Sequence, residues 1–322
     1  MSFLFNAPCY IGGVVRILIL CAYFAVSLVA ADKNFNGRWD ITVPDNERRR
    51  AWWLEVMNAE TGKPSGSFIS AYAGDLNKFD EVMIENGELH LVFRSKGGTP
   101  TITHLRARFA NGKLEGTHEV EGSQKKLTWT GVRAPKFKTV GAKKLKEGKP
   151  VELFNGKDLA GWRPLRPERK IEWTVKDGVT ANVPAAVDLV TEQKFWNFKL
   201  HAEYRVGPKS NSGIGLRGRY EVQILEDFGQ PPNSHGNGAL YSRVVPTQNA
   251  SKPANEWQTF DITLIENRVT VVLNGVNIID NKEIDGLTAI GIDPDEGKPG
   301  PIIVQGDHGA VEFRKLTLTP LT

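Results

Sequence analysis

Residues 213–227 read GIGLRGRYEVQILED, and the fold turns on how this stretch is read. In an extended chain, side chains alternate between the two faces. Arg217, Arg219, Glu221 and Gln223 then share one face with Gly213 and Gly215, while Ile214, Leu216, Tyr220, Val222 and Ile224 take the other. One face is apolar and suited to a core. The opposite face carries polar groups in the middle of a sheet. The spelling G-x-G-x-x-G at 213–218 matches a dinucleotide fingerprint, but that motif needs a helix opening at its end. Here a second period-2 run, Tyr220–Leu225, follows instead. The stretch is sheet, and its glycines serve close approach or a bulge.

The same period runs outward in both directions. Toward the C-terminus, strands are expected at Phe198–Val206, Ser212–Arg217, Tyr220–Leu225, Ala239–Ser242, Trp257–Ile265, Arg268–Leu273, Val276–Asp280, Ile302–Gln305 and Ala310–Leu318, with Asn274-Gly275 as a hairpin turn. Strands of this number and length suit a two-sheet sandwich. Toward the N-terminus, eight shorter strands are expected: Arg38–Val43, Ala51–Met57, Gly66–Tyr72, Glu81–Ile84, Glu88–Arg94, Thr101–Phe109, Leu114–Val120 and Lys126–Val132. Asn86-Gly87 and Asn111-Gly112 are tight-turn signals between neighbours. Eight strands in meander order suit an up-and-down barrel, which removes sheet edges by closure. Gly37-Arg38-Trp39 resembles the opening of lipocalin-like barrels, and Trp39, Trp52, Trp53 and Trp129 are expected to fill the barrel core. The fold class is therefore all-β: an N-terminal lipocalin-like β-barrel (32–133) and a β-sandwich (151–322).

Between them, residues 134–150 carry Pro at both ends, scattered Lys and no apolar period, which reads as a solvated linker. Charge supports this division. The 322-residue chain has a formal charge of +4, from 41 Lys and Arg against 37 Asp and Glu. Residues 32–134 hold 15 basic and 14 acidic residues, residues 135–150 hold 6 and 1, and residues 151–322 hold 19 and 22. The basic excess thus sits in the linker, and neither large segment suits a phosphate backbone, so no nucleic-acid partner is expected.

The apolar run Ile17–Val29, preceded by Arg16 and followed by Ala30-Ala31-Asp32, reads as a signal peptide spanning 1–31. It is short for a membrane span of ~20 residues. A secreted or periplasmic protein follows, with no membrane contact beyond the export signal. Both cysteines, Cys9 and Cys21, fall in this segment, so the exported chain has no thiol for a disulfide, a metal site or a nucleophile. Bulky Leu20 before Cys21 and the apolar run after it argue against lipid attachment. The six histidines show no paired metal spacing, and Asp293-Pro-Asp295-Glu-Gly297 lacks the full calcium-loop pattern, so no metal and no cofactor are expected.

In the polar face of 213–227, two guanidiniums and a carboxylate side by side suit sugar hydroxyls or a carbonyl oxygen. At these residues the sequence resembles the 3-keto-disaccharide hydrolase family, over about residues 151–319. The resemblance is carried in order by Glu152-Leu-Phe-Asn-Gly-Lys-Asp-Leu-Ala-Gly-Trp162, Trp173-Thr-Val-Lys-Asp-Gly178, Asn211-Ser-Gly-Ile-Gly-Leu-Arg217, Tyr220-Glu-Val-Gln-Ile-Leu225 and Gly238-Ala-Leu-Tyr241. Asn255-Glu-Trp257 with Asp261, Leu273-Asn-Gly-Val276, Ile302-Ile-Val-Gln-Gly306 and Val311-Glu-Phe-Arg314 complete it. The resemblance implies a concanavalin A-like jelly roll whose concave sheet binds sugar, and an exported enzyme acting on 3-keto glycosides, by elimination or by hydrolysis. It implies Glu221 as acid/base, Arg217 at the developing oxyanion, and Glu226 or Asp227 as second carboxyl group. Gln223, Gln305, Arg219 and His308 would bind substrate, with Trp257 or Tyr241 stacked on a sugar face. A non-catalytic, lectin-like carbohydrate-binding protein is the alternative, since the same sandwich hosts both.

Overall fold

The computed structural model describes residues 33–71, 74–95, 100–138 and 145–322. The expected export segment 1–31, with Cys9 and Cys21, lies outside the described residues, as do Tyr72 and linker residues 139–144. Among the described residues, no helix is long and apolar enough to cross a membrane.

The N-terminal sheet contains β1 (Gly37–Thr42), β2 (Trp52–Met57), β3 (Ser65–Ile69), β4 (Asn77–Lys78), β5 (Glu81–Glu85), β6 (Glu88–Arg94), β7 (Ile102–Ala110), β8 (Lys113–Val120) and β9 (Lys126–Arg133). Its order is β4-β3-β2-β1-β9-β8-β7-β6-β5, and all ladders are antiparallel. The two ends of this order are halves of one kinked stretch. Asn77 and Lys78 pair with β3, the Phe79 N–H donates to Gly66 O (3.1 Å), and the Asp80 N–H donates to Val92 O (2.9 Å). From Glu81 onward the chain pairs with β6. The handover curls the meander into a barrel of eight strands, the number expected. Asn86-Gly87 and Asn111-Gly112 take positive φ at both residues, as their hairpin turns require. In β7, Leu105 and Ala107 are buried and Arg106 and Arg108 exposed, so the period-2 pattern survives. A cavity of about 350 Å³ remains at one end, lined by Phe68, Phe93, His118 and Leu127.

The C-terminal part is a two-sheet jelly-roll sandwich of β10 (Val151–Glu152), β11 (Trp162–Pro164), β12 (Trp173–Lys176), β13 (Val179–Asn182), β14 (Leu189–Thr191), β15 (Asn197–Val206), β16 (Asn211–Leu216), β17 (Tyr220–Leu225), β18 (Gln258–Ile265), β19 (Arg268–Leu273), β20 (Val276–Glu283), β21 (Ile303–Val304) and β22 (Val311–Leu321). The larger sheet runs β12-β13-β22-β15-β18-β19-β20, with β10 also on β22, and the smaller runs β11-β14-β21-β16-β17. Tyr204, Phe260 and Phe313 from the larger sheet meet Ile214, Leu216, Val222 and Ile224 from the smaller in one apolar core. The short strands β10 to β14 were not expected, because two to four residues hold too few side chains for a period. The expected strand Ala239–Ser242 forms only isolated bridges at Leu240, to Val222 and to Val244, because Gly238 and Ser242 take positive φ and turn the chain.

The two parts share their packing. Trp39, Trp52 and Trp129 fill the barrel core, as expected. Trp53 does not: the next residue on a strand points the other way, and it is buried in the sandwich cluster together with Ala51 and Ile69. Its ring lies beneath the Arg243 guanidinium at 4.2 Å and against Gly286, where no Cβ would fit. The Ala51 N–H donates to Gly291 O (2.7 Å), and the Leu76 N–H donates to Ser242 Oγ (2.7 Å). Asp40 faces out of the barrel into this junction, fully buried beside Glu296, and burial followed by the Glu296 charge pushes its carboxyl far up, against the pull of Arg219 and Arg243.

Candidate active site

The site is built on the β16–β17 hairpin. Gly213 pairs with Gln223 and Gly215 with Glu221. The chain reverses at Arg217-Gly218, both at positive φ, with the Arg219 N–H donating to Leu216 O at 3.0 Å. Beyond the turn the alternation holds. Tyr220, Val222 and Ile224 are in the core, while Glu221 and Gln223 face a pocket of about 110 Å³ on the other side of the sheet. Gly213 makes room there: a Cβ on it would lie 2.5 Å from Glu221 Oε1 and 3.0 Å from Cγ. The carboxyl group therefore lies across the glycine.

Glu221 is only 4% exposed. Burial pushes its pKa up to about 8, with Asp188 and Asp307 adding to the rise and His308 and Arg50 opposing it. Its backbone N–H donates to Thr288 Oγ1 at 3.0 Å, which fixes the start of β17. Gln305 follows β21, and its N–H donates to Gly213 O at 2.9 Å. Gln223 and Gln305 both line the pocket, and both side-chain oxygens are buried without a hydrogen-bond donor among the described residues. Buried acceptors of this kind await a donor.

The loop after Gln305 is pinned from two sides. Asn182 Nδ2 donates to Gly306 O (3.1 Å) and Gly309 O (3.0 Å), and the Gly306 N–H donates to Asp188 Oδ1 (2.9 Å). This brings Asp307 and His308 to the pocket wall, with Asp307 Oδ1 2.6 Å from His308 Nδ1. That hydrogen bond raises the His308 pKa against the effect of burial, helped by the charges of Asp307, Glu221 and Asp188. Burial raises Asp307, but His308, Arg50 and Arg48 outweigh it and hold the carboxylate low. Tyr241 closes another side, its hydroxyl pushed up to about 12 by burial, then by Glu221 and Asp75.

The barrel contributes too. Arg48 and Arg50, between β1 and β2, line the pocket, as do Ala71 and Gly74 after β3. Arg50 ion-pairs with Asp188, and its Nη1 donates to Ile290 O at 2.9 Å. Asp188 is buried, and the side chains of Arg50 and Asp188 are 9% and 4% exposed.

Of the residues singled out in the sequence, Glu221, Gln223, Tyr241, Gln305 and His308 converge on this pocket. Five others lie away from it. Arg217 sits at the hairpin turn rather than in a strand, so it leaves the Glu221 face. It is fully buried, donates from Nη2 to Glu266 O, and stacks on Trp196 at 4.1 Å. Arg219, past the same turn, pairs with Asp293 at 2.7 Å and donates to Lys298 O. Glu226 accepts from the Lys209 N–H (3.1 Å), and Asp227 is buried in a loop-bracing role, accepting from the Asn237 N–H (2.8 Å) and Ser251 Oγ (2.6 Å). Trp257 precedes β18 on the other sheet, with Arg205 and Arg314 over its ring at 4.8 and 4.6 Å, so its faces are covered. The nearby acid partner is Asp307 instead. The sequence reading missed Arg48, Arg50 and Asp188. Asp188 left a signal, a lone carboxylate inside the apolar run Val187–Val190, but nothing local announces an arginine that acts 138 residues away.

Comparison with known proteins gives a consistent family. The chain is 24% identical to a 3-keto-disaccharide hydrolase of Bacteroides thetaiotaomicron, in a 166-residue alignment covering 40% of this chain and 57% of that relative. The chain therefore spans little more than half of that relative's length. Two solved structures from Parabacteroides distasonis, both provisionally assigned glycosyl hydrolases, align with TM-scores of 0.46. One is 32% identical and covers 52% of this chain and 82% of its own. The other is 21% identical and covers 54% and 94%. The model of the 3-keto-alpha-glucoside-1,2-lyase-like domain matches residues 149–319. That match takes in more than half of the sequence, including every strand that shapes the floor of the pocket, and the chain belongs to this family.

Proposed function

We propose that the protein cleaves 3-keto glycosides, with Glu221 as the acid/base. One observation carries this reading: a buried carboxyl group with a raised pKa faces two buried amide oxygens that lack donors, in the same pocket as a His–Asp pair. A ketone at C3 acidifies the proton on C2. Glu221, as carboxylate, takes that proton, and the electron pair passes into the enolate. The C1–O bond then breaks, a C1–C2 double bond forms, and the departing oxygen leaves as an alcohol with the proton returned by Glu221. Water added across the double bond completes a net hydrolysis.

A carboxylate with a pKa of about 8 is a stronger base than an ordinary one, at the cost that only about a tenth is ionised at pH 7. His308, whose pKa the hydrogen bond to Asp307 raises, faces the negative charge that builds on O3, the role the sequence reading gave to Arg217. Gln223 and Gln305 accept hydrogen bonds from ring hydroxyls. The export segment at 1–31 and the linker at 134–150 belong to the same reading, which sets the activity outside the cytoplasm.

The test is incubation of the purified protein with a 3-keto disaccharide and with its unoxidised parent, followed by product analysis. Cleavage of the 3-keto form only, lost in Glu221→Gln while binding persists, is the expected result. Cleavage of neither sugar, or full turnover by Glu221→Gln, overturns the assignment.

A further inference from the structure

The pocket holds more positive charge than this chemistry uses. Arg50 is committed to Asp188 and to Ile290 O. His308 is committed to Asp307. Arg48 and Arg166 also line the pocket, and neither guanidinium has an ion-pair partner among the described residues. Their neighbours differ. Arg49, next to Arg48 but outside the pocket lining, pairs with Glu168 at 3.1 Å, and Arg169, one turn past Arg166, pairs with Glu172 at 3.2 Å. Arg49 and Arg169, outside the pocket lining, have found carboxylates, and so has Arg50 within it, whereas Arg48 and Arg166 have not.

The pair also comes from two separate parts of the chain. Arg48 is exposed on the barrel loop between β1 and β2, and Arg166 is half-buried just after β11. Arg48 is close enough to help hold Asp307 ionised. A neutral sugar offers two guanidiniums hydroxyl acceptors but no counter-charge, whereas a planar or tetrahedral oxyanion supplies the charge and matches their forked donors. Deeper in the pocket, the side-chain oxygens of Gln223 and Gln305 offer acceptors for hydroxyls.

We propose that the pocket takes a glycoside carrying an oxyanion, a carboxylate or a sulfate, held between Arg48 of the barrel and Arg166 of the sandwich while its ring hydroxyls meet Gln223 and Gln305. This rests on reading the pocket as a glycoside site. It makes the barrel, which lies outside the family match at 149–319, the source of half of the charge selectivity.

Calorimetric titration of the whole protein with methyl glucoside, methyl glucuronide and methyl glucoside 6-sulfate tests it, at low and high salt. At low salt at least one anionic probe should bind 10-fold or more tighter than the neutral one, and salt should shrink that ratio. Comparing glucuronide with sulfate says which oxyanion is preferred. In Arg48→Gln/Arg166→Gln the ratio should fall to near one, with a thermal melt verifying the fold. Equal binding of neutral and anionic probes by the wild-type protein, or a ratio unchanged in the double variant, overturns the proposal and leaves the glycoside site standing. Binding of none of the three overturns the charge-selectivity proposal, while the reading of the pocket as a 3-keto glycoside site is decided separately by the cleavage assay.

Discussion

Glu221→Gln should change the pH dependence of stability as well as turnover. In the folded protein this carboxyl group titrates at about 8, against an ordinary value of 4.5. A carboxyl whose pKa is raised by folding is protonated in the native state while the unfolded chain ionises. Its contribution to stability is complete below pH 4.5 and is lost progressively as pH rises toward 8. One unit is worth about 1.4 kcal/mol, so linkage gives a loss of about 3 kcal/mol by pH 7 and about 5 kcal/mol above pH 9. Glutamine does not titrate. It brings its own cost, an amide whose N–H donors face Arg50 and His308, but that cost does not vary with Glu221 ionisation. The slope is therefore diagnostic and the offset is not. Urea unfolding of both proteins at pH 5, 7 and 9 should show the variant gaining on the wild type by about 4 kcal/mol across that range. Parallel stability curves, with a constant difference at every pH, would mean that the carboxyl group is not held protonated and that its burial has been misjudged.

Three further outcomes follow from the same geometry. The rate of 3-keto glycoside cleavage should rise with pH through about 8 as Glu221 ionises, read from kcat/KM between pH 6 and 9; a rate flat over that range removes Glu221 as the base. Gly213→Ala should displace the Glu221 carboxyl group, because the new Cβ would lie 2.5 Å from Oε1, and lower kcat by a factor of about 100 or more with the circular dichroism spectrum intact. Arg50→Ala leaves Asp188 buried without its cation, so it should cost about 3–5 kcal/mol in urea unfolding and move the Glu221 titration upward, since Arg50 now opposes its rise.

Much of the fold was legible because its signals are local. The Asn-Gly pairs at 86, 111 and 274 each announce a turn that only positive φ permits, and all three turns form. Period-2 alternation in β7 and β17 told which side chains enter a core. The same alternation put Glu221 and Gln223 on one polar face and failed for Arg217 and Arg219, because Arg217 itself adopts the left-handed conformation that glycine usually supplies. Only Gly218 hinted at the reversal. Glu226, Asp227 and Trp257 were selected by residue type at plausible places, and contacts with neighbours distant in the sequence engage each of them elsewhere. Asp188, Arg50 and Arg48 depend on how the barrel sits on the sandwich, a relation no local pattern encodes.

Trp52 and Trp53 are joined by one peptide bond, yet they belong to different cores. The barrel thus leaves a tooth in the sandwich, seated where Gly286 gives way. Such a joint makes the unit hard to shuffle. A sandwich cut free by gene truncation would carry an indole-sized hollow lined with apolar side chains, and a barrel cut free would expose a tryptophan. Relatives that lack the barrel should fill the hollow from within, with a larger side chain at the position of Gly286, so the identity of that one residue should track whether a barrel precedes the sandwich. Calorimetry of the intact chain should accordingly record one unfolding transition rather than two, because neither part can melt without uncovering the other.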